Sequence, residues 1–84
     1  MSYQQIFKLK ETNLALCQRR SLVKHYIHHS KQCLNNGCKD HRDVARRLTR
    51  DEYEYMSLCT LIKENGIQIQ KLRQDYYKSL PIEL

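Results

Sequence analysis

A group of histidines and cysteines in the middle of the chain has the residue types of a metal site. Positions 25, 29 and 33 are one helical turn apart, so on a helix their side chains share one side. Two further residues of these types follow a glycine that could return the chain toward them. Zinc binds four nitrogen or sulfur ligands. The favoured interpretation is nevertheless that the histidines are solvated or face phosphate and that no cofactor is bound. The alternative is a zinc site built from His25, His29, Cys33, Cys38 and His41.

The four cysteines have two further interpretations. In an antiparallel hairpin Cys17 faces Cys59, and Cys33 and Cys38 flank the turn. Two disulfides would suit an oxidising compartment such as the mitochondrial intermembrane space, whereas buried thiols in contact need no oxidation. Since the first residues contain no secretory apolar run, the sequence predicts a reducing cytosol or nucleus, with a mitochondrial location as the alternative.

Basic residues are concentrated in the first part of the chain. Fifteen Lys and Arg against nine Asp and Glu give a net charge of +6. Residues 1–50 carry eleven basic and three acidic residues, and residues 51–84 carry four and six. Such asymmetry favours a surface for phosphate or for an acidic partner, and Tyr26 adds a ring on which a base could stack. The candidate contacts to nucleic acid are Arg19, Arg20, Lys24, Lys31, Arg42, Arg46 and Arg47.

Two sharper functional classes are disfavoured by the sequence. A helix-turn-helix unit would place its turn glycine at Thr49, and its recognition helix would open with acidic residues, which DNA phosphates repel. The chain has no glycine-rich phosphate loop, no G-x-S-x-G and no H-E-x-x-H motif. We therefore expect a protein that is not an enzyme.

The chain must position these residues within one small domain, residues 1–84. Two glycines and one proline are too few for the many turns of a β-sandwich, which favours an all-α protein. A mean hydropathy of −0.77 predicts a thin core. No apolar run is long enough to span a membrane.

A stripe with alternating three- and four-residue spacing predicts the first helix, at about residues 12–34, with Thr12 or Ser2 as its cap. The cluster at 35–37 ends it, and a turn at 35–40 follows. The stripe consists of Ile6, Leu9, Asn13, Leu16, Arg20, Val23, Ile27, Ser30 and Leu34.

A longer stripe predicts a second helix at about 41–80, with Asp40 as its cap and Pro81 as its end. Its phase holds across Gly66, so the helix continues there or is only kinked. A capping box at 49–52 offers an alternative start near residue 50. The stripe consists of Val44, Leu48, Asp51, Tyr55, Leu58, Ile62, Asn65, Ile69, Leu72, Tyr76 and Ser79.

The two helices predict an antiparallel hairpin in which facing residues have numbers summing to about 75. The second helix then extends beyond the first, and its uncovered stripe favours a partner, either a second copy or a larger complex. The alternative is that residues 1–11 fold back onto this stripe. We expect a small interaction subunit, or alternatively a basic nucleic-acid-binding regulator stabilised by zinc. The predicted partner interface consists of Tyr55, Leu58, Ile62, Ile69, Leu72 and Tyr76.

Overall fold

A computed structural model describes residues 3–80 and confirms the all-α helical hairpin. Helix α1 spans Tyr3–Asn35 and helix α2 spans His41–Ser79. The two helices pack side by side along their length. The result is a rod with extents of 70 × 17 × 14 Å.

The turn between the helices lies where the sequence predicts it. Asn36 donates its backbone N–H to the carbonyl of Gln32 at 3.0 Å, and Cys38 donates to the carbonyl of Cys33 at 3.1 Å. Gly37 has a φ of 73°, a conformation that glycine adopts without steric cost. Asp40 occupies the N-cap position of α2, but its side chain makes no capping hydrogen bond.

The interface between the helices, which we call the seam, follows the two predicted stripes. Every stripe residue from Ile6 to Tyr76 is buried or half-buried, and Ser79 alone is exposed. Burial is complete or nearly so at Ile6, Val23, Val44 and Leu58. Alternation of three and four residues is the period of an antiparallel coiled coil, which explains why the seam continues along both helices.

Two contacts across the seam establish the register. Asn13 donates its side-chain N–H to the carbonyl of Ile62 at 3.3 Å, and Arg19 pairs with Glu54 at 2.6 Å. The residue numbers in these pairs sum to 75 and 73, close to the predicted 75.

The predicted start of the first helix is wrong. Helix α1 begins at Tyr3, so Thr12 lies inside it rather than at its cap. Tyr3 packs edge-on against Tyr76, with ring centroids 6.3 Å apart. The early residues of α1 therefore lie beside the end of α2, where Ile69, Leu72 and Tyr76 are half-buried rather than uncovered.

Helix α2 is continuous, which contradicts both a start near residue 50 and a helix-turn-helix unit. The hydroxyl of Thr49 donates to the carbonyl of Ala45 at 3.1 Å instead of capping a new helix. The helix passes through Gly66 and ends at Ser79. Leu80 is extended, as a residue before proline should be, while Ser2 and Pro81 lie outside the described residues.

Within the described part of the chain, neither helix is long and apolar enough to cross a membrane.

Truncating a seam leucine should cost much more stability than truncating an exposed one. Leu58 is 7% exposed and Leu61, in the same helix, is 45% exposed. We expect Leu58→Ala to lower the free energy of unfolding by about 2–3 kcal/mol and Leu61→Ala by about 0.5 kcal/mol. Urea denaturation at one fixed protein concentration measures both, and equal losses would contradict the described seam.

Candidate binding groove

The period of the seam divides the hairpin into two sides. In heptad notation the seam residues occupy positions a and d, and positions e and g lie on opposite flanks. Arg19 and Glu54 both occupy g, and their contact shows that the g flanks of the two helices adjoin. The e flanks therefore adjoin on the other side.

The g flanks border a groove with a cavity volume of about 420 Å³ near the turn end of the hairpin. Both helices contribute to it through residues three, four or seven positions apart, which share a helix side. We call this surface the basic side. It includes Arg19, Tyr26, His29, Arg47, Arg50 and Glu54.

One ion pair closes part of the groove. The guanidinium of Arg19 donates to both carboxylate oxygens of Glu54, at 2.6 and 3.1 Å. These hydrogen bonds lower the pKa of Glu54, with a further contribution from the charge of Arg19, although partial burial opposes the shift. The same hydrogen bonds raise the pKa of Arg19. This pair links the two helices. Because Arg19 and Glu54 neutralise each other, neither contributes much charge to the binding of a ligand.

The other arginines of the groove have no ion-pair partner in the described part of the chain. Arg47 and Arg50 form no salt bridge among residues 3–80, and they lie one turn apart on α2. Tyr26 is 43% exposed and belongs to no aromatic pair in the described residues. The groove thus offers two guanidinium groups beside a partly exposed ring, a combination suited to a phosphate-bearing aromatic ligand.

Two of the predicted basic residues lie on the opposite side of the hairpin. Lys24 and Lys31 border a second cavity, of about 280 Å³, together with Glu52 and Met56. The predicted nucleic-acid residues therefore do not form one continuous surface.

The remaining predicted basic residues are also dispersed. Arg20 is half-buried in the seam, and its Nη1 lies 4.0 Å from the Sγ of Cys59. Arg42 borders a shallow site at the turn with Lys39, and Arg46 is exposed. Arg50 lines the groove but is missing from the predicted nucleic-acid contacts. Its spacing of three residues from Arg47 places both side chains on one side of the helix, and this spacing could have identified it.

Among residues 3–80, the structure does not gather the predicted zinc ligands into one site. His25 and His41 are exposed, whereas His29 borders the basic groove. Between residues 3 and 80, no three His, Cys, Asp or Glu side chains form a group able to hold a metal ion. Zinc binding stays a prediction, because a metal can draw its ligands together as it binds.

All four cysteines are free thiols. Cys33 and Cys38 are half-buried at the turn. Interaction with the neighbouring thiol of Cys38 raises the pKa of Cys33, and partial burial adds to the shift. The geometry thus favours the neutral thiol over the nucleophilic thiolate at Cys33.

The residues of the predicted partner interface lie in the seam. Leu58 is buried, and the other five, Tyr55, Ile62, Ile69, Leu72 and Tyr76, are half-buried. Within one chain, helix α1 packs against these residues, so they are not an open surface for a partner.

No family model matches the chain, and no curated protein or solved structure matches it significantly.

Replacing Arg19 should change the titration of Glu54. Because the folded state lowers the pKa of Glu54, the pair stabilises the fold above the ordinary carboxyl pKa, and this contribution is lost as the pH falls through the lowered value. We expect Arg19→Gln to raise the pKa of Glu54 toward its ordinary value, measured by NMR titration of the carboxyl carbon. The control Arg46→Gln should leave it unchanged, and an unshifted Glu54 in Arg19→Gln would contradict the described pair.

Replacing Cys38 should make Cys33 more reactive. Cys38→Ala removes the main cause of the raised pKa, so Cys33 should form its thiolate at lower pH. We expect the midpoint of its pH-dependent alkylation, followed by peptide mass spectrometry, to move to lower pH. Cys17 in the same digest is the internal control, and an unchanged midpoint for Cys33 would show that the two thiols do not interact.

Proposed function

We propose that this chain is a small helical subunit, without enzymatic activity, that completes its core against a second copy of itself. The observation that carries the proposal is an excess of exposed surface. The chain exposes 7198 Å², whereas a compact monomer of 10.2 kDa exposes about 5,300 Å². Its radius of gyration is 19.4 Å, against about 12 Å for a compact domain of this length.

The excess surface includes large apolar side chains that single-chain folding leaves in water. Among the residues that the structure describes, eleven large apolar side chains are more than two-fifths exposed, whereas four apolar residues are buried. Many of the exposed ones lie at heptad positions e and b, on the side opposite the basic groove. We call this surface the apolar side, and it consists of Tyr3, Phe7, Leu14, Met56 and Tyr77.

Small residues on the same side allow a second pair of helices to approach. Cys17, Cys59 and Gly66 occupy e positions and are half-buried at the border of the seam. A Cβ added at Gly66 would meet no atom within 4 Å, so this stretch of α2 is open to a neighbour. Two hairpins joined through their apolar sides would form a four-helix bundle.

The area favours a second copy as the occupant. Each chain carries an excess of about 1,900 Å², so two copies would bury roughly 2,000–3,800 Å² in total, the size of an obligate homodimer interface. A two-fold axis lets one self-complementary side serve both chains. An antiparallel arrangement of the hairpins also separates the two turn ends, where Lys24 and Lys31 would otherwise repel their counterparts.

The four thiols suit a reducing compartment, the cytosol or the nucleus, where such a subunit would act without disulfides.

A charge placed on the apolar side should dissociate the dimer. We expect the wild-type chain to sediment with twice its mass of 10.2 kDa at micromolar concentration. Leu14→Asp should sediment as a monomer, because the dimer would bury the new carboxylate. Analytical ultracentrifugation measures both.

A matched control tests whether the effect is specific to that side. Ile67 is 58% exposed, close to the 62% of Leu14, but it occupies the outer f position of α2. Ile67→Asp should therefore stay dimeric. A monomeric wild type, or equal dissociation by both variants, would overturn the proposal.

A further inference from the structure

We propose that the basic side binds single-stranded nucleic acid, with one base stacked on Tyr26 and the adjoining phosphates held by Arg47 and Arg50. This inference goes beyond the proposed dimer and does not depend on it, because the basic and apolar sides occupy opposite flanks of the hairpin.

The charge of the groove supports a phosphate ligand. Arg19 and Glu54 neutralise each other within their ion pair. Among the described residues that line the groove, the carboxylate left to face Arg47 and Arg50 is that of Asp51. The groove keeps a net positive charge, with two guanidinium forks available to donate paired hydrogen bonds to phosphate oxygens.

The shape of the groove supports a base beside the phosphates. Its volume of about 420 Å³ lies within the range of about 300–1,000 Å³ in which proteins hold small molecules. Tyr26 contributes the ring from α1, while the two arginines approach from α2. A base and its phosphate can therefore be contacted from opposite walls of one groove.

A single strand fits this arrangement better than a duplex or an acidic peptide. Bases in a duplex are stacked on each other and cannot reach a tyrosine ring without being extruded, whereas an unpaired base is free to stack. A carboxylate-rich peptide would satisfy the arginines but would leave Tyr26 without a partner.

Arg46 is a further exposed cation near the groove, because it precedes Arg47 on α2. The shallow site at the turn adds no net charge from its arginine, lysine and carboxylates, because Lys39 and Arg42 share it with Asp40 and Asp43. The expected affinity therefore comes from the groove and from Arg46, and it depends on salt.

Fluorescence anisotropy with a labelled twelve-nucleotide oligouridine, at an ionic strength of about 50 mM, tests the site. We expect Arg47→Glu/Arg50→Glu to weaken binding by at least tenfold. The control Lys24→Glu/Lys31→Glu makes the same change of charge on the opposite side and should weaken binding by less than threefold. Equal losses in both double variants would overturn the proposal, since they would reflect net charge alone.

A second variant tests the stacking contact. We expect Tyr26→Ala, which keeps every charge, to weaken binding about tenfold, and Tyr53→Ala, at an exposed outer position, to leave it unchanged. Circular dichroism and sedimentation of each variant would show that helicity and oligomeric state are retained, so that loss of binding is distinguished from failure of the dimer. An unaffected Tyr26→Ala would overturn the proposal.

Competitors distinguish the sources of the ligand. Unlabelled oligouridine should displace the probe, whereas a matched duplex, uridine monophosphate and polyglutamate should not do so at the same concentration of charge. Equal displacement by any of these three, or no binding of the probe to the wild-type chain, would overturn the proposal.

Discussion

The seam between α1 and α2 is the constraint on which the described structure depends. Each helix carries a narrow stripe, and the two stripes bury four side chains well, so within one chain each helix depends on the other for its core. Asn13 bonds the carbonyl of Ile62 inside the seam, while its Oδ1 is buried without a partner among the described residues. An unsatisfied polar atom costs stability, but a polar residue in such a seam favours one register over its neighbours.

Because the seam fixes which flanks adjoin, it also separates the chemistry of the surface. The g flanks bring Arg19 to Glu54 and leave Arg47 and Arg50 beside Tyr26. The opposite flanks carry Phe7 and Leu14, together with small residues that allow close approach. An association surface and a ligand surface can therefore coexist on a rod only 17 Å across its second axis.

Much of this fold could be predicted from the sequence, because the seam has a period that residue types alone reveal. The start of α1 could not be predicted in this way. Thr12 is a good capping residue, but capping contributes only about 1 kcal/mol to helix stability, and the packing of Ile6 and Leu9 in the seam outweighs it. The groove could not be predicted either. Arg47 and Arg50 share a helix side in any register, but their proximity to Tyr26 requires knowing which flanks adjoin.

The described chain has almost no irregular structure apart from residues 36–40. Since each helical residue advances the chain by about 100°, inserting or deleting one residue inside either helix would rotate everything beyond it out of the seam. Substitutions at exposed positions leave that phase intact. The hairpin itself therefore tolerates changes of residue type at exposed positions, whereas it tolerates changes of length only at the turn or in steps of whole heptads.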